Sequence, residues 1–156
     1  MVGAAAAQVA GLLAESGRVR VGRRYHDSWN AVQERYGVLP EGIDYSTLAA
    51  TSKGNQLRPE FADAAFSLWL VTRDERYRRR ARKHYEQMKR TSKVRYGYTI
   101  LTDVTTSPPV RGDFCPGYWW SEQLKYYWLI FGNARRFNYA DHYLSTEGNM
   151  FRGARR

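Results

Sequence analysis

Four glutamates, an arginine, a tyrosine and a threonine carry the chemistry legible in these 156 residues. Glu41 follows a proline in Val38-Leu39-Pro40-Glu41-Gly42. Arg58 and Glu60 flank Pro59 in the stretch Asn55-Gln56-Leu57-Arg58-Pro59-Glu60-Phe61, where a polar turn becomes an amphipathic helix. Tyr118 and Glu122 stand four residues apart on an aromatic helix, so ring and carboxylate face the same space. Thr146-Glu147 offers a hydroxyl, two carbonyls and a carboxylate, hard oxygens of the kind that suit Ca²⁺. Carboxylates at helix mouths are suited to general acid–base work. Each residue also has an ordinary explanation. A Glu in a first helical turn complements the dipole, Glu122 could pair with Lys125, and a bare Thr-Glu is common.

Composition narrows the classes. The chain is 43% hydrophobic and 15% aromatic, so it can bury a core. Flat tyrosine and tryptophan rings also suit packing against the C–H faces of sugars. The net charge of +10 is concentrated in one predicted helix, at Arg76, Arg78, Arg79, Arg80, Arg82, Lys83, Lys89 and Arg90, with Arg152, Arg155 and Arg156 as a tail. No zinc finger, RNP or helix-turn-helix pattern accompanies it, so a solvated helix face is expected and no nucleic-acid partner. Cys115 is the only cysteine, which excludes an internal disulfide and a cysteine-rich metal site. The Ala-rich start lacks the basic lead of a signal peptide and falls short of a membrane span. It reads as a buried helix. No phosphate-binding glycine loop and no nucleophile elbow occurs.

The elements that must position these residues are mostly helical. An Ala/Leu helix is predicted over 4–16 and a basic connection over 18–24. The next helix carries Tyr25, Trp29, Val32 and Tyr36 at i, i+4, i+7, i+11. Residues 43–56 read as loop. Pro59 fits the first position of a helix running to about Thr72, with Leu57, Phe61, Ala64, Ala65 and Leu68 on its buried side. Asp74 opens a further helix, with His84 as a core histidine or a partner for a neighbouring carboxylate. Alternation from Val94 to Val104 predicts one strand. The last helix spans about Tyr118 to Phe131, and the tail from Tyr143 shows no helical or strand period. Helix pairs, one strand insertion and inward acidic groups give an all-α fold class, an α/α toroid. The residues themselves leave open a sugar-active enzyme or an all-α scaffold.

At this point the motifs resemble a known family. Tyr36 to Glu41 is similar to a Gly-Leu-x-Pro-Glu segment, and Leu57-Arg58-Pro59-Glu60 matches Leu-Arg-Pro-Glu. Tyr96-Gly97-Tyr98 through Asp103-Val104 resembles a Gly-Tyr…Asn/Asp-Val region. Tyr118 to Tyr126 resembles Phe-Phe-Leu-x-Glu-Thr-Leu-Lys-Tyr, and Ser145-Thr146-Glu147-Gly148 a closing Thr-Glu-Ala/Gly. Together, in order, they resemble the C-terminal part of a class I α-1,2-mannosidase of glycoside hydrolase family 47. The resemblance implies that residues 1–156 are part of the catalytic domain, about the last third of an (α/α)7 barrel with a small β insertion. It implies Ca²⁺-dependent, inverting removal of α-1,2-linked mannose from high-mannose N-glycans in the endoplasmic reticulum or Golgi lumen. Glu60 matches the base, and its helix-mouth position would keep it ionised. Glu41 matches another acid of the catalytic set. Arg58, Tyr118, Glu122 and Glu147 match residues lining the sugar and calcium pocket, and Thr146 the threonine that binds the ion. Gln123 replaces a threonine and Asn149 a histidine. The family's general acid, a second acid and an Asp-His-Leu-x-Cys-Phe segment before Gly11 have no counterpart in these residues. A non-catalytic mannose-binding module, lectin-like or chaperone-like, and a basic α-helical interaction domain are the alternatives.

Overall fold

The computed structural model describes residues 1–132, 137–138 and 141–153; Arg155 and Arg156 of the basic tail lie outside them. The centre of the fold is helix α3, Glu60–Thr72, whose side chains from Phe61 to Leu70 are buried apart from Asp63, which is half-buried. A helix apolar around its whole circumference must be covered on every side. Helices α1 (Val9–Glu15), α2 (Val19–Tyr36), α4 (Glu75–Ser92) and α5 (Leu124–Phe131) supply that cover, each packing on α3. The more amphipathic helices α2 and α4 bury one stripe each, Gly22, His26, Trp29, Val32 and Gln33 on α2 and Tyr77, Ala81, His84, Met88 and Ser92 on α4. Antiparallel hairpins α1–α2 and α3–α4 therefore alternate inner and outer helices, the arrangement expected of an arc of an α/α toroid.

The charged face of α4 is a solvated outer face. Arg76 pairs with Asp74, Arg78 with Glu75, Arg80 with Asp27 of α2, Lys83 with Glu34 of α2 and Lys89 with Glu86. Pairs this exposed contribute little stability each, but two of them lace the outer helices together. His84 is a core histidine: it is buried, its Nδ1 meets the Tyr127 hydroxyl, and burial lowers its pKa to about 3.

Several local expectations are corrected. The first helix begins as a 3-10 turn, Ala4–Gln8, before turning α-helical at Val9. Residues from Val19 are not a connection but the first turns of α2, which crosses α1 closely. A Cβ on Gly22 would stand 2.6 Å from the Ala10 carbonyl oxygen, so glycine permits the approach. The stretch read as loop contributes β2 (Gly42–Ile43) and β3 (Ala50–Ser52), which join β1 (Val2–Gly3) in an antiparallel sheet. The single predicted strand is two hairpins: β4 (Lys93–Val94) pairs with β5 (Gly97–Tyr98), and β6 (Leu101–Asp103) with β7 (Val110–Arg111). Alternation reports extended backbone and is blind to a reversal at Arg95-Tyr96. The tail forms the hairpin β8 (His142–Leu144) and β9 (Met150–Arg152). All three β9 residues are exposed, so burial imposes no alternation on it.

Asn55 ties the insertion to the helices. Its backbone exchanges two hydrogen bonds with Leu101, at 2.8 and 2.9 Å. Its side-chain Nδ2 donates to the Leu39 carbonyl at 2.7 Å, and its Oδ1 accepts from the Leu57 N–H at 3.0 Å. That second bond holds Leu57 at φ 58°, a left-handed conformation rare for a leucine. Replacing Asn55 by Ala orphans two buried backbone groups, each costing roughly 1–3 kcal/mol. Urea unfolding of Asn55→Ala is expected to show a loss of at least about 2 kcal/mol.

Candidate active site

The left-handed residue at Leu57 turns the chain so that Arg58 and Glu60 leave it on the cavity side of α3. Three contacts fix the turn. Glu41 Oε2 accepts from Arg58 Nε at 2.7 Å, and its Oε1 accepts from the Gln56 N–H at 2.9 Å. The Tyr118 hydroxyl donates to the Gln56 carbonyl at 2.7 Å. Pro59 precedes the helix rather than opening it, and its carbonyl accepts the N–H groups of Ala62 and Asp63, both at 3.0 Å.

A cavity of about 230 Å³ opens in front of this turn. Arg58, Glu60, Tyr118, Glu122, Thr146 and Glu147 all line it, so three separate stretches of sequence converge as expected for one site. Glu41, expected among the catalytic acids, is not part of this wall; its carboxylate stands behind Arg58, occupied by the two bonds above. Lining residues not singled out in the sequence are Asp63, Tyr126 and Gln8. Asp63 follows Glu60 at i+3 and Tyr126 follows Glu122 at i+4, so helical spacing was the available signal. Gln8 stood out only as a polar break in an alanine run.

The predicted last helix opens with a π-helical turn, Trp119–Gln123, ahead of α5. Such turns re-aim side chains within a helix, and here Glu122 is buried at the cavity wall. Lys125 does not pair with it in place of a ligand; its Nζ donates to the Gly148 carbonyl. Gly148 lies at φ +67°, and a Cβ there would meet the Ser121 carbonyl oxygen at 3.2 Å and Glu122 Cα at 3.3 Å. The tip of the β8–β9 hairpin thus rests directly on the π turn, which brings Thr146 and Glu147 to the cavity.

Crowded carboxylates set the electrostatics. Burial pushes Glu122 up to about 7, reinforced by the charges of Glu147 and Glu60 and a hydrogen bond with Glu147. Burial likewise pushes Asp63 to about 7, against a 3.1 Å hydrogen bond from Gln8 Nε2, with the charges of Glu15, Glu60 and Glu122 adding to the rise. Glu60 is raised as well. Desolvation there outweighs the hydrogen bond from its own N–H and the pull of Arg58, so the helix mouth alone does not hold it low. Its Oε2 is buried and has no hydrogen-bond partner. Tyr126 is pushed up by burial and by Asp63, Glu122, Glu60 and Glu147, so it remains a hydroxyl donor. The lining donors are oxygen and nitrogen, with no histidine or cysteine among them. Among the described residues no three His, Cys, Asp or Glu side chains form a cluster able to hold an ion.

An arc of α/α hairpins closing on an acid-lined cavity defines a class, and comparison supplies the family. The family model described as Glycosyl hydrolase family 47 matches residues 1–153. The chain belongs to glycosyl hydrolase family 47. It is similar to Alpha-mannosidase I MNS4 of Arabidopsis thaliana, 32% identical over 78% of this chain and 19% of the relative. It is also similar to Mannosyl-oligosaccharide 1,2-alpha-mannosidase MNS3 of the same plant, 40% identical over 51% of this chain and 13% of the relative. Mannosyl-oligosaccharide 1,2-alpha-mannosidase IA of Sus scrofa is 28% identical over 72% of this chain and 18% of its own length. The chain therefore spans about a fifth or less of these relatives. In structure it resembles the alpha-1,2-mannosidase from Trichoderma reesei, with a TM-score of 0.80 and 20% identity over 97% of this chain and 39% of that one. That likeness fixes the fold as part of an α/α barrel.

The raised acids make a stability prediction. The folded pKa of Asp63, about 7, lies above its ordinary 3.8, so ionising it in the folded protein costs energy. The cost is absent below about pH 4, grows as pH rises through the window, and is complete above about pH 7. Asp63→Asn carries no such cost. Thermal melts of both proteins from pH 4 to 8 are expected to show the variant gaining on wild type as pH rises, then levelling.

Proposed function

We propose that this chain forms part of the catalytic domain of an α-1,2-mannosidase that hydrolyses terminal mannose from N-glycans of glycoproteins, with inversion. The observation that carries the reading is Glu60: a half-buried carboxylate whose Oε2 is buried without a hydrogen-bond partner, on the wall of an acid-lined cavity beside an arginine locked in place from behind. Its raised pKa brings it closer to neutrality while leaving it ionised above that value, as a general base requires. Glu60 takes a proton from the attacking water as the water oxygen bonds to the anomeric carbon. The glycosidic C–O bond breaks on the opposite face, and the departing oxygen receives a proton from a second carboxyl group. Inverting hydrolases keep the two groups ~6.5–9.5 Å apart so that water fits between them. The resemblance assigns that general acid to a part of the family domain outside the motifs matched here.

The other residues take binding roles in this reading. Arg58 donates to sugar hydroxyls, and Glu41 positions it. The Tyr118 ring packs against the pyranose while its hydroxyl stays on Gln56. Glu122 and Glu147 accept from sugar hydroxyls or from water held around a cation. The oxygen-rich wall fits a hard ion better than a transition metal. Thr146 would hold Ca²⁺, the carboxylates would order its water, and the bound ion would supply fixed positive charge to anchor the sugar. The names of the similar proteins support a mannosyl-oligosaccharide as the partner, and the family resemblance the secretory pathway as the compartment. No helix among the described residues is long and apolar enough to cross a membrane.

Release of mannose from an α-1,2-linked mannobiose, with and without chelator, tests the reading. Glu60→Gln is expected to lower turnover at least 100-fold with its circular dichroism unchanged, a loss within the ~10²–10⁴-fold range for general acid–base catalysis. Normal turnover in a folded Glu60→Gln protein would remove Glu60 from the role. Calorimetric heat with mannobiose but no free mannose would favour the lectin-like module. Tyr118→Phe, which leaves the ring and removes one hydrogen bond, is expected to keep turnover within about tenfold and cost ~0.5–1.5 kcal/mol in urea unfolding.

A further inference from the structure

A second cleft, of about 180 Å³, opens on α2 and shares no lining residue with the cavity in front of Glu60. Val2 and Ile43 of the three-stranded sheet, Tyr25 and Trp29 of α2, and Tyr45 and Leu48 of the β2–β3 turn form its walls. Tyr25 and Trp29 stand at i, i+4 and so face the same space. Tyr45 is 72% exposed and Trp29 only 4%, so the cleft runs from an open rim to a tryptophan floor. The turn that carries Tyr45 is held tightly. Asp44 Oδ1 accepts from the Ser46 and Thr47 N–H groups at 2.8 and 3.0 Å. The Asp44 N–H donates to the Ala49 carbonyl and the Leu48 N–H to the Asp44 carbonyl, both at 2.8 Å. The Tyr36 hydroxyl donates to the Leu48 carbonyl at 3.1 Å and accepts from the Ala50 N–H at 2.9 Å. Leu48 sits at φ 57°, and strain of this kind persists where surrounding contacts over-determine it. An exposed ring on a turn fixed in this way loses little freedom on binding.

The lining chemistry selects the occupant. The protein carries a net charge of +10, yet no Asp, Glu, Lys, Arg or His lines this cleft, so its complement is neutral. The volume falls short of the ~300–1,000 Å³ of pockets that enclose a whole ligand, which leaves room for one ring of a larger molecule. Among the described residues the Tyr25 and Tyr45 hydroxyls make no hydrogen bond. Ser28 also lines the cleft, and its hydroxyl, which donates to the Arg24 carbonyl at 3.2 Å, keeps its acceptor lone pairs. A purely apolar side chain seated here would bury these polar tips unpaired. A pyranose offers apolar C–H faces to the rings and hydroxyls around its edge to the tips. We propose that the cleft is a second carbohydrate site, which holds a neutral hexopyranose of a glycan without cleaving it. Tyr45 packs on one face of the sugar, and Tyr25 and Ser28 meet its hydroxyls. No carboxyl group lines the cleft to act as acid or base, so the ring held there is not the one hydrolysed. The site goes beyond the role given to Glu60 and does not depend on it.

Titration of the 156-residue chain with methyl α-mannopyranoside, followed by NMR at the Trp29 indole and the Ser28 and Tyr45 amides, tests the site. These signals are expected to move together with a Kd on the order of 1 mM, as a small ligand on a shallow wall gives. Tyr45→Ala removes a largely exposed ring, so it is expected to keep the dispersed spectrum of a folded chain and to weaken binding about fivefold or more. Tyr45→Phe keeps the ring and is expected to weaken it only about two- to threefold. If Tyr45→Ala does not fold, Tyr25→Phe removes the other hydroxyl and carries the same comparison. Trp29 and Ser28 signals that stay still, or that respond alike in wild type and variant, overturn the proposal. A stronger response to N-acetyl-leucinamide than to the sugar also overturns it and makes the cleft a dock for an apolar side chain. Movement of the same signals on concentrating the protein alone overturns it in favour of contact with a second copy. Binding here without mannose release leaves the site standing and counts against the proposed hydrolysis; release from mannobiose with these signals unmoved does the reverse.

Discussion

The site depends on the side chain of Asn55. Its two hydrogen bonds bind Leu39, just before Glu41, to Leu57, just before Arg58. They help to keep a buried leucine at positive φ, a conformation that costs about 1–3 kcal/mol. The consequence spreads outward. Glu41 meets Arg58, Gln56 receives the Tyr118 hydroxyl, and Glu60 starts its helix with its carboxylate aimed at the cavity. The strained turn is stabilised from both sides, by the Leu101 strand pairing and by the apolar packing of α3. A geometry over-determined in this way is what a site needs if its groups are to stay aligned.

Much of the helical framework was legible in sequence because burial of one stripe imposes a 3.6-residue period. Trp29, Val32, Tyr77 and Met88 announce it, and the structure buries them all. The β elements were less legible because they are short and largely exposed. Val94 to Val104 alternates in sequence although its backbone reverses, and β9 carries no buried face to impose a pattern. The cavity residues were found where they sit in motifs, as Arg58, Glu60, Tyr118, Glu122 and Thr146-Glu147 do. Asp63 was signalled only by its helical spacing from Glu60; its crowding with Glu15 and Glu122 is tertiary. Glu41 stands behind Arg58 and outside the cavity wall, a direction that sequence proximity does not give.

The acids also explain a tension within the molecule. Burying Glu60, Asp63 and Glu122 together opposes folding at neutral pH, since each is held above its ordinary ionisation range. Among the described residues Arg58 relieves Glu60 and Lys125 relieves Glu122, and Lys125 also donates to the Gly148 carbonyl. The surrounding aromatic core, with Trp119, Tyr126, Phe61 and Phe66 buried, offsets the cost. Concentrated like charge at a cavity is what a hydrated cation or a hydroxyl-rich ligand would relieve.

The two sides of the cavity differ in mechanical character. Arg58, Glu60 and Glu122 are borne by elements fused to the core. Thr146 and Glu147 hang from a hairpin whose second strand is exposed throughout and whose tip is pinned by Gly148 and Lys125. Side chains on the first side are positioned by elements packed into the interior. On the second, changes in hairpin length or tip composition disturb few neighbours beyond the π turn. The fold therefore separates the part of the site that must be rigid from the part that can vary, and any drift in what the cavity accepts would enter through the hairpin.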